Sequence, residues 1–239
     1  MRQDIAQRIV DWLKNQLEET ATKGFVLGLS GGLDSSVCAA LLKQTTDHCL
    51  GLILPIESDV KDLDHASAIA STLDIKTQYI DLTSTYANLV KLLPDGDRVA
   101  LGNIKARLRM LVLYYHANIH NYLVCGTGNK TEIVLGYFTK FGDGACDILP
   151  LGDLSKGEVK ELARTLEIPE AIVQKVPSAG LWAGQTDEGE IGFTYEEMDT
   201  ALKKIEKGNI TDATCRALVE VVKRTAHKRE KPRIFYLRR

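Results

Sequence analysis

Short apolar runs alternate with helical periodicity along the first half of the chain, and this limits the fold more than any other feature. "GFVLGLS" (24–30), "CLGLILP" (49–55), "TQYIDL" (77–82) and "NYLVCG" (121–126) read as strands. Between them, "SSVCAALLKQ" (35–44), "DHASAIASTLD" (64–74), a stretch around 83–92 and residues 98–119 read as helices, with the break "LPDGD" before the last. Ahead of the first strand, Ile5, Ile9, Leu13 and Leu17 recur at i, i+4 and predict a helix over 2–19. Apolar strands joined by helices indicate a parallel sheet covered on both faces. The expectation is one α/β domain over 1–239: a doubly wound parallel sheet with additional C-terminal helices.

The second half is patterned differently. Ser155 with Glu158 makes a capping box before "VKELARTLEI", and Thr194 with Glu197 makes another before "MDTALKKIEKG", which Gly208 ends. A further helix is predicted from about 212 to 228. Between these helices lies "PSAGLWAGQTDEGEIG" (177–192), rich in glycine and too long for a plain connector. Such loops serve as active-site lids or as disordered connectors.

Composition excludes several classes. The net charge of -2 gives no reason for general affinity to nucleic acid, although "KRTAHKREKPRIFYLRR" is strongly basic and reads mostly as a solvated helix end. The five cysteines form no C-x-x-C pair and no zinc spacing, and Cys38, Cys49 and Cys125 lie in apolar runs, as buried thiols do. The N-terminus is amphipathic, unlike a signal peptide. No apolar run reaches the roughly 18 residues of a membrane helix. The expected compartment is the cytoplasm, with no membrane partner.

Residues 28–37, "GLSGGLDSSV", follow a predicted buried strand and open a helix. In an open parallel sheet, ligands bind at the carboxyl ends of strands. A helix N-terminus there offers free N–H groups and a positive dipole end to phosphate. A bare Gly-Gly would read as a tight turn; Ser30, Asp34, Ser35 and Ser36 shift the balance toward a ligand. A Walker A loop is excluded because no lysine stands in the required place, and Gly28-Leu29-Ser30 breaks a dinucleotide fingerprint. What remains, S-G-G-x-D-S, resembles the pyrophosphate loop of N-type ATP pyrophosphatases, which cleave ATP between the α and β phosphates.

Further stretches narrow the resemblance. "GTGNKTE" (126–132), "GYFTKFGDGACDILPLGDLSK" (136–156), "NIKARLRM" (103–110), "PSAGLWAGQTDE" (177–188) and "HK" (227–228) together resemble ammonia-dependent NAD synthetase across nearly the whole chain. The resemblance implies an adenine nucleotide alpha hydrolase-like fold. It also implies synthesis of NAD from deamido-NAD, ATP and ammonia through an adenylated intermediate, with release of AMP and pyrophosphate. By resemblance, Gly28, Leu29, Ser30, Gly31, Gly32, Leu33, Asp34 and Ser35 hold ATP phosphates, and Thr127, Lys156 and Ser178 also contact ATP. Asp34 and Glu132 match Mg2+ positions. Arg107, Lys140, Asp147, His227 and Lys228 match deamido-NAD positions. Ser178 stands where many relatives have threonine, Leu33 replaces a frequent glutamine, and Asn129-Lys130 lie in a variable part of their motif. None of these changes removes a charged reactive group.

The chemistry of the residues agrees. A carboxylate is a poor electrophile for ammonia until adenylation turns its oxygen into a leaving group. Carboxylate and triphosphate repel, so cations are needed; Mg2+ takes oxygen ligands with one or two protein carboxylates. Asp34 alone also reads as a carboxylate favoured at a helix N-terminus. Lys156 reads as a solvated lysine or as a cation neutralising phosphate charge. Arg107 and Arg109 lie two apart on a helix and face different directions, and spacing from Thr127 favours Arg107. Local sequence alone favours His227 as a helix-end residue satisfying carbonyls. A tRNA-thiolating enzyme would need a working cysteine pair and a basic surface. A GMP-synthetase-like role does not suit the motifs after residue 126. A non-enzymatic nucleotide sensor would not require Asp34, Glu132 and Lys156 together.

Four further expectations follow. "RLRMLVLYYHANI" (107–119) is apolar on more than one helical face and predicts a homodimer. Residues 180–192 are expected to order as a lid over the adenylate. Ammonia rather than glutamine is the expected nitrogen donor, since no cysteine sits in a nucleophile setting. Finally, Asp143 in "FGDGACD" is a candidate catalytic base for ammonium, equally readable as an Asp-Gly turn residue.

Overall fold

The computed structural model describes residues 2–237. Four parallel strands, β1 (Gly24–Gly28), β2 (Cys49–Ile53), β3 (Lys76–Tyr79) and β4 (Tyr122–Cys125), form a sheet of order β3-β2-β1-β4. Phe25 pairs with Cys49 on one side and Leu123 on the other. The chain therefore leaves β1 toward β2 and β3, then returns to place β4 on the opposite edge. The gap between the ends of β1 and β4 is the topological switch point, where open α/β sheets bind ligands.

Alternation along each strand divides the core. Phe25 and Leu27 face one layer, with Leu13 of α1 (Arg2–Thr20), Val37 and Leu41 of α2 (Leu33–Thr45), Ile69 of α3 (Val60–Thr72) and Val159 of α7 (Lys156–Thr165). Val26, Leu52 and Val124 face the other, against Tyr86 of α4 (Thr83–Val90) and Met110 and Leu113 of α5 (Arg98–His120). The sheet is thus doubly wound, as the apolar runs predict. A smaller core joins α6 (Lys130–Leu135), α10 (Tyr195–Glu206) and α11 (Ala213–Arg224) through Leu135, Met198, Leu202 and Leu218. These are the additional C-terminal helices.

Several boundaries differ from expectation. β3 is exposed at every residue, because as an edge strand it needs no apolar run and its polar side chains discourage further pairing. Helix α3 begins four residues before the predicted start, where Asp59 caps it by accepting from Lys61 N–H at 2.9 Å. The helix predicted over 212–228 is broken at Thr225 into α11 and α12 (Ala226–Arg229). Helices α6, α8 (Glu170–Val173) and α9 (Asp187–Ile191) are too short to leave a periodic signature, and α9 lies inside the segment expected to be loop. Both predicted capping boxes, at Ser155/Glu158 and Thr194/Glu197, are formed.

Candidate active site

The phosphate-loop geometry starts from two glycines with different tasks. Gly31 has φ +72, and a Cβ there would lie 2.1 Å from the Asp62 carbonyl oxygen, so only glycine fits between the turn and α3. Gly32 is the N-cap of α2 and supplies no side-chain cap. By contrast, α3, α5, α6, α7, α10 and α11 each receive a capping side chain. The first N–H groups of α2 therefore remain available to an anion, with the positive end of the helix dipole behind them. Ser30 and Ser35 are linked through their hydroxyls at 3.0 Å, and Ser36 donates to Gly32 O at 2.8 Å, which fixes the turn.

This loop forms one wall of a cavity of about 420 Å3. Residues 28–30 and 32–35 line it, with Gly126 and Thr127 after β4, Glu132 on α6, Lys156 on α7, and Ser178 and Trp182 on the covering segment. At its centre lies a charge cluster. Lys156 Nζ is 2.5 Å from Asp34 Oδ2 and 3.7 Å from Glu132 Oε1. Its side chain is 4% exposed, against 15% for Asp34 and 19% for Glu132. Burial opposes the charge on Lys156, but Asp34 and Glu132 outweigh it and hold the amine above the ordinary lysine value. Burial pushes the Glu132 carboxyl up to about 8; Lys156 opposes this rise and Asp34 adds to it.

Capping helps place these groups. Asn129 caps α6 and exchanges bonds with Glu132, whose Oε2 accepts Asn129 N–H at 3.2 Å. This leaves Glu132 Oε1 toward Lys156 and the Tyr195 hydroxyl, 3.3 Å away. Lys156 is the first residue of α7, held at its start by the Ser155 cap.

Sequence reasoning missed a second layer. Tyr195 OH donates to Asp187 Oδ2 at 2.8 Å, and the Tyr195 ring lies 5.0 Å from Lys156 Nζ. Asp187 is 4% exposed, and its Oδ1 has no hydrogen-bond partner among the described residues. Burial raises its carboxyl above the ordinary aspartate value, with the Tyr195 hydrogen bond opposing. Tyr137 OH and Gln185 Nε2 both donate to Glu190 Oε2, at 2.7 and 2.9 Å. The signal available in sequence is Thr186 as a cap ahead of the acidic residues in "QTDEGE", inside a stretch whose glycines point to a loop.

The remaining expected site residues separate into two groups, with Asp147 apart from both. Asp143 and Lys228 line the cavity. Asp143 Oδ1 accepts the Thr139 N–H at 2.9 Å. Its side chain keeps accessible area, yet the cavity walls desolvate it enough to raise its carboxyl, against the hydrogen bonds from Thr139. Lys228 donates to Gly136 O and Phe138 O, both at 2.8 Å. Arg107, Lys140 and His227 instead form an exterior group: Arg107 NH2 donates to Lys140 O at 3.2 Å, and Lys140 Nζ to His227 O. Arg109, not Arg107, lines the cavity, where it donates to Leu54 O at 3.0 Å. Asp147 lies elsewhere and uses both oxygens internally, accepting from Tyr114 OH at 3.0 Å and Val124 N–H at 2.7 Å.

The donor set can be tested against Mg2+. Asp34 and Glu132 offer two carboxylates on either side of one ammonium, which suits an ion that shares its sphere with phosphate oxygens and water. Among the described residues, no three His, Cys, Asp or Glu side chains are grouped to hold a metal alone.

A parallel α/β sheet with an uncapped helix at its switch point, facing a lysine–carboxylate cluster, defines a nucleotide-handling enzyme of the phosphate-loop class. The comparisons with known proteins narrow this. Residues 5–232 match the NAD synthase family, and the chain belongs to it. It is 45% identical to the NH(3)-dependent NAD(+) synthetase of Carboxydothermus hydrogenoformans, over 95% of both chains. Among solved structures it resembles an NMN synthetase from Francisella tularensis (39% identity, TM-score 0.91, 99% of both chains). It also resembles the NH3-dependent NAD synthetase of Campylobacter jejuni (30% identity, TM-score 0.87, 99% of both chains).

Replacing Lys156 by methionine leaves two largely desolvated carboxylates facing each other with no cation between them. The expected result is a loss of about 3 kcal/mol in unfolding free energy at neutral pH, measured by urea denaturation. An unchanged midpoint would show that the cluster does not need its cation.

Proposed function

We propose that the cavity over the β1–β4 switch point holds ATP and deamido-NAD together, adenylates the nicotinate carboxylate and passes the adenylate to ammonia. ATP-dependent amidation of deamido-NAD with ammonia, giving NAD, is the chemistry of the family to which the chain belongs. The observation supporting this cavity as its place is the buried Lys156 between Asp34 and Glu132, beside the uncapped start of α2.

A carboxylate oxygen of the substrate attacks the α phosphorus of ATP, and pyrophosphate leaves. Ammonia then attacks the acyl carbon, and AMP departs with that oxygen. Residues 28–35 receive the phosphates through backbone N–H groups and serine hydroxyls. Lys156 faces the triphosphate with a full positive charge, and Thr127 and Ser178 supply further polar contacts. Asp34 and Glu132 would hold Mg2+, which when bound would neutralise charge on the departing pyrophosphate. Lys228, which lines the cavity, is assigned to deamido-NAD, together with Arg107, Lys140, Asp147 and His227, which lie outside its walls and would meet the part of the dinucleotide that extends beyond it; Asp143 is assigned to accepting a proton from ammonium.

A homodimer is supported by α5. Leu111, Tyr115 and Ile119 recur at i, i+4, i+8 and are 67, 63 and 56% exposed, an apolar stripe that a second copy would cover. Residues 180–192 form a lid in this reading: Trp182 packs at Gly102 and lies under the Arg98 guanidinium, so the segment already has a seat on α5. No described helix is long and apolar enough to cross a membrane, and five free cysteines support a reducing, cytoplasmic setting.

The similarity to the Francisella tularensis NMN synthetase carries a second reading, in which the same chemistry acts on deamido-NMN. Incubating the purified chain with ATP, Mg2+ and ammonium, and with either substrate, separates the two. The expected result is equal NAD, AMP and pyrophosphate from deamido-NAD, at a higher kcat/KM than for deamido-NMN. A reversed preference would establish the second reading.

Three variant or solution measurements check the assignments. Asp34→Ala and Glu132→Ala should each reduce pyrophosphate release at least about a hundredfold, with circular dichroism unchanged; near-normal release removes that residue from the site. Asp143→Asn should keep adenylate formation but slow its capture by ammonia, most at lower pH, where ammonium holds its proton most firmly. Wild-type amidation across pH would exclude Asp143 as the base. Sedimentation of wild type should give twice the chain mass, and Leu111→Glu should halve it. A wild-type monomer at assay concentration would contradict the dimer.

A further inference from the structure

Lys175 has no part in the assignments above, yet it reaches the phosphate loop. Its Nζ donates to Gly31 O at 3.1 Å and pairs with Asp62 Oδ1 at 2.6 Å. Lys175 and Asp62 both line the cavity. The three residues belong to separate elements: the phosphate loop, the first turn of α3, and the chain just after α8. The loop and α3 are already in backbone contact, because Gly31 has no room for a Cβ beside Asp62 O. Lys175 adds the third element, and it immediately precedes residues 176–182, which wall the cavity.

The pair is close but partly solvated. Its side chains are 25% exposed for Lys175 and 32% for Asp62, so water screens their attraction. A polyphosphate on the neighbouring N–H groups of α2 would bring several negative charges close to this ammonium. It would then compete with a single, partly solvated carboxylate.

We propose that Lys175 is a phosphate-binding residue whose resting partner is Asp62, and that its exchange of Asp62 for the pyrophosphate end of ATP ties loop occupancy to the position of the 176–182 wall. This rests on the reading that residues 28–35 hold the phosphates of ATP. Without nucleotide, Asp62 and Gly31 O hold the ammonium. With nucleotide, the ammonium turns to phosphate oxygens, and the chain beginning at Val176 moves with it. Ser178 lies three residues after Lys175, so the same movement sets the hydroxyl assigned to ATP. The release of pyrophosphate returns Lys175 to Asp62 and loosens the wall. No covalent step is involved.

The two partners make opposite predictions, which a merely structural clamp does not. Binding of inorganic pyrophosphate with Mg2+ is measured by calorimetry on wild type, Lys175→Met, Asp62→Asn and the double variant. Lys175→Met should weaken binding about tenfold or more. Asp62→Asn frees the ammonium and should tighten binding about two- to fivefold. In the Lys175→Met background, Asp62→Asn should change nothing. With Trp12→Phe removing the other tryptophan, pyrophosphate should shift Trp182 emission, and Lys175→Met should abolish that shift.

Unchanged pyrophosphate affinity in Lys175→Met overturns the inference. Weakening by Asp62→Asn, or equal tightening in both backgrounds, also overturns it, as does a Trp182 shift that survives Lys175→Met. Should Lys175→Met not fold, the sign of the Asp62→Asn effect still decides. Failure of wild type to bind pyrophosphate overturns both this inference and the phosphate-loop reading. Wild-type binding with an unaltered Lys175→Met affinity overturns this inference alone.

Discussion

The site is organised by one buried ammonium. Lys156 Nζ, at 2.5 Å from Asp34 and 3.7 Å from Glu132, joins the first turn of α2 to α6 through the first residue of α7. Two carboxylates brought together in a poorly solvated place repel, and burial, with Asp34 adding to it and Lys156 opposing it, lifts Glu132 to about 8. A lysine between them makes the arrangement stable, and the arrangement in turn keeps that lysine charged. A buried pair contributes little net stability compared with apolar side chains of similar volume, but breaking one is costly. The chain therefore keeps a cluster that packing alone would not require. In the proposed function its use is chemical: separating the cation from its carboxylates would give one partner for phosphate and two for a divalent ion.

The backbone supports the same division. The sheet order β3-β2-β1-β4 opens a gap beside β1, and α2 starts there without a capping side chain. Leaving those N–H groups without a capping side chain costs stability that α3, α5, α6, α7, α10 and α11 avoid through Asp, Asn, Ser or Thr caps. An anion in the cavity removes that penalty. The apolar layers on both faces, built on Phe25 and Leu27 and on Val26 and Val124, make the platform rigid. The helices that supply Glu132 and Tyr195 pack in a smaller core of their own. Cations and polar groups thus converge from three packed units on one cavity.

Much of this was legible in the sequence because local chemistry dictates it. The runs 24–30 and 49–55 read as buried strands and are, and the Gly-Gly turn marks the junction between β1 and the uncapped start of α2. Asp34, Glu132 and Lys156 were found through motifs, and the structure brings all three together. β3 was found despite its exposure, although the expected apolar character failed on an edge strand. What was not legible depends on contacts distant in sequence. Lys175 meets Gly31 across 144 residues, and Tyr195 meets Glu132 across 63. Asp187 lay in a segment whose glycines pointed to a loop, and the five-residue α9 is too short for periodicity to reveal. Arg107 and Arg109 show the limit from the other side. Spacing could tell that they point apart, but not that Arg109 turns into the cavity while Arg107 reaches Lys140 O.

The central claim is that the substrate carboxylate is adenylated before ammonia attacks, and it can be followed by one oxygen atom. Deamido-NAD with 18O at both oxygens of its nicotinate carboxylate is converted by the wild-type protein with ATP, Mg2+ and ammonium, and the products are analysed by mass spectrometry. The account predicts one 18O in AMP for each NAD formed and none in pyrophosphate. Label in phosphate or pyrophosphate, or NAD formation with unlabelled AMP, would contradict it.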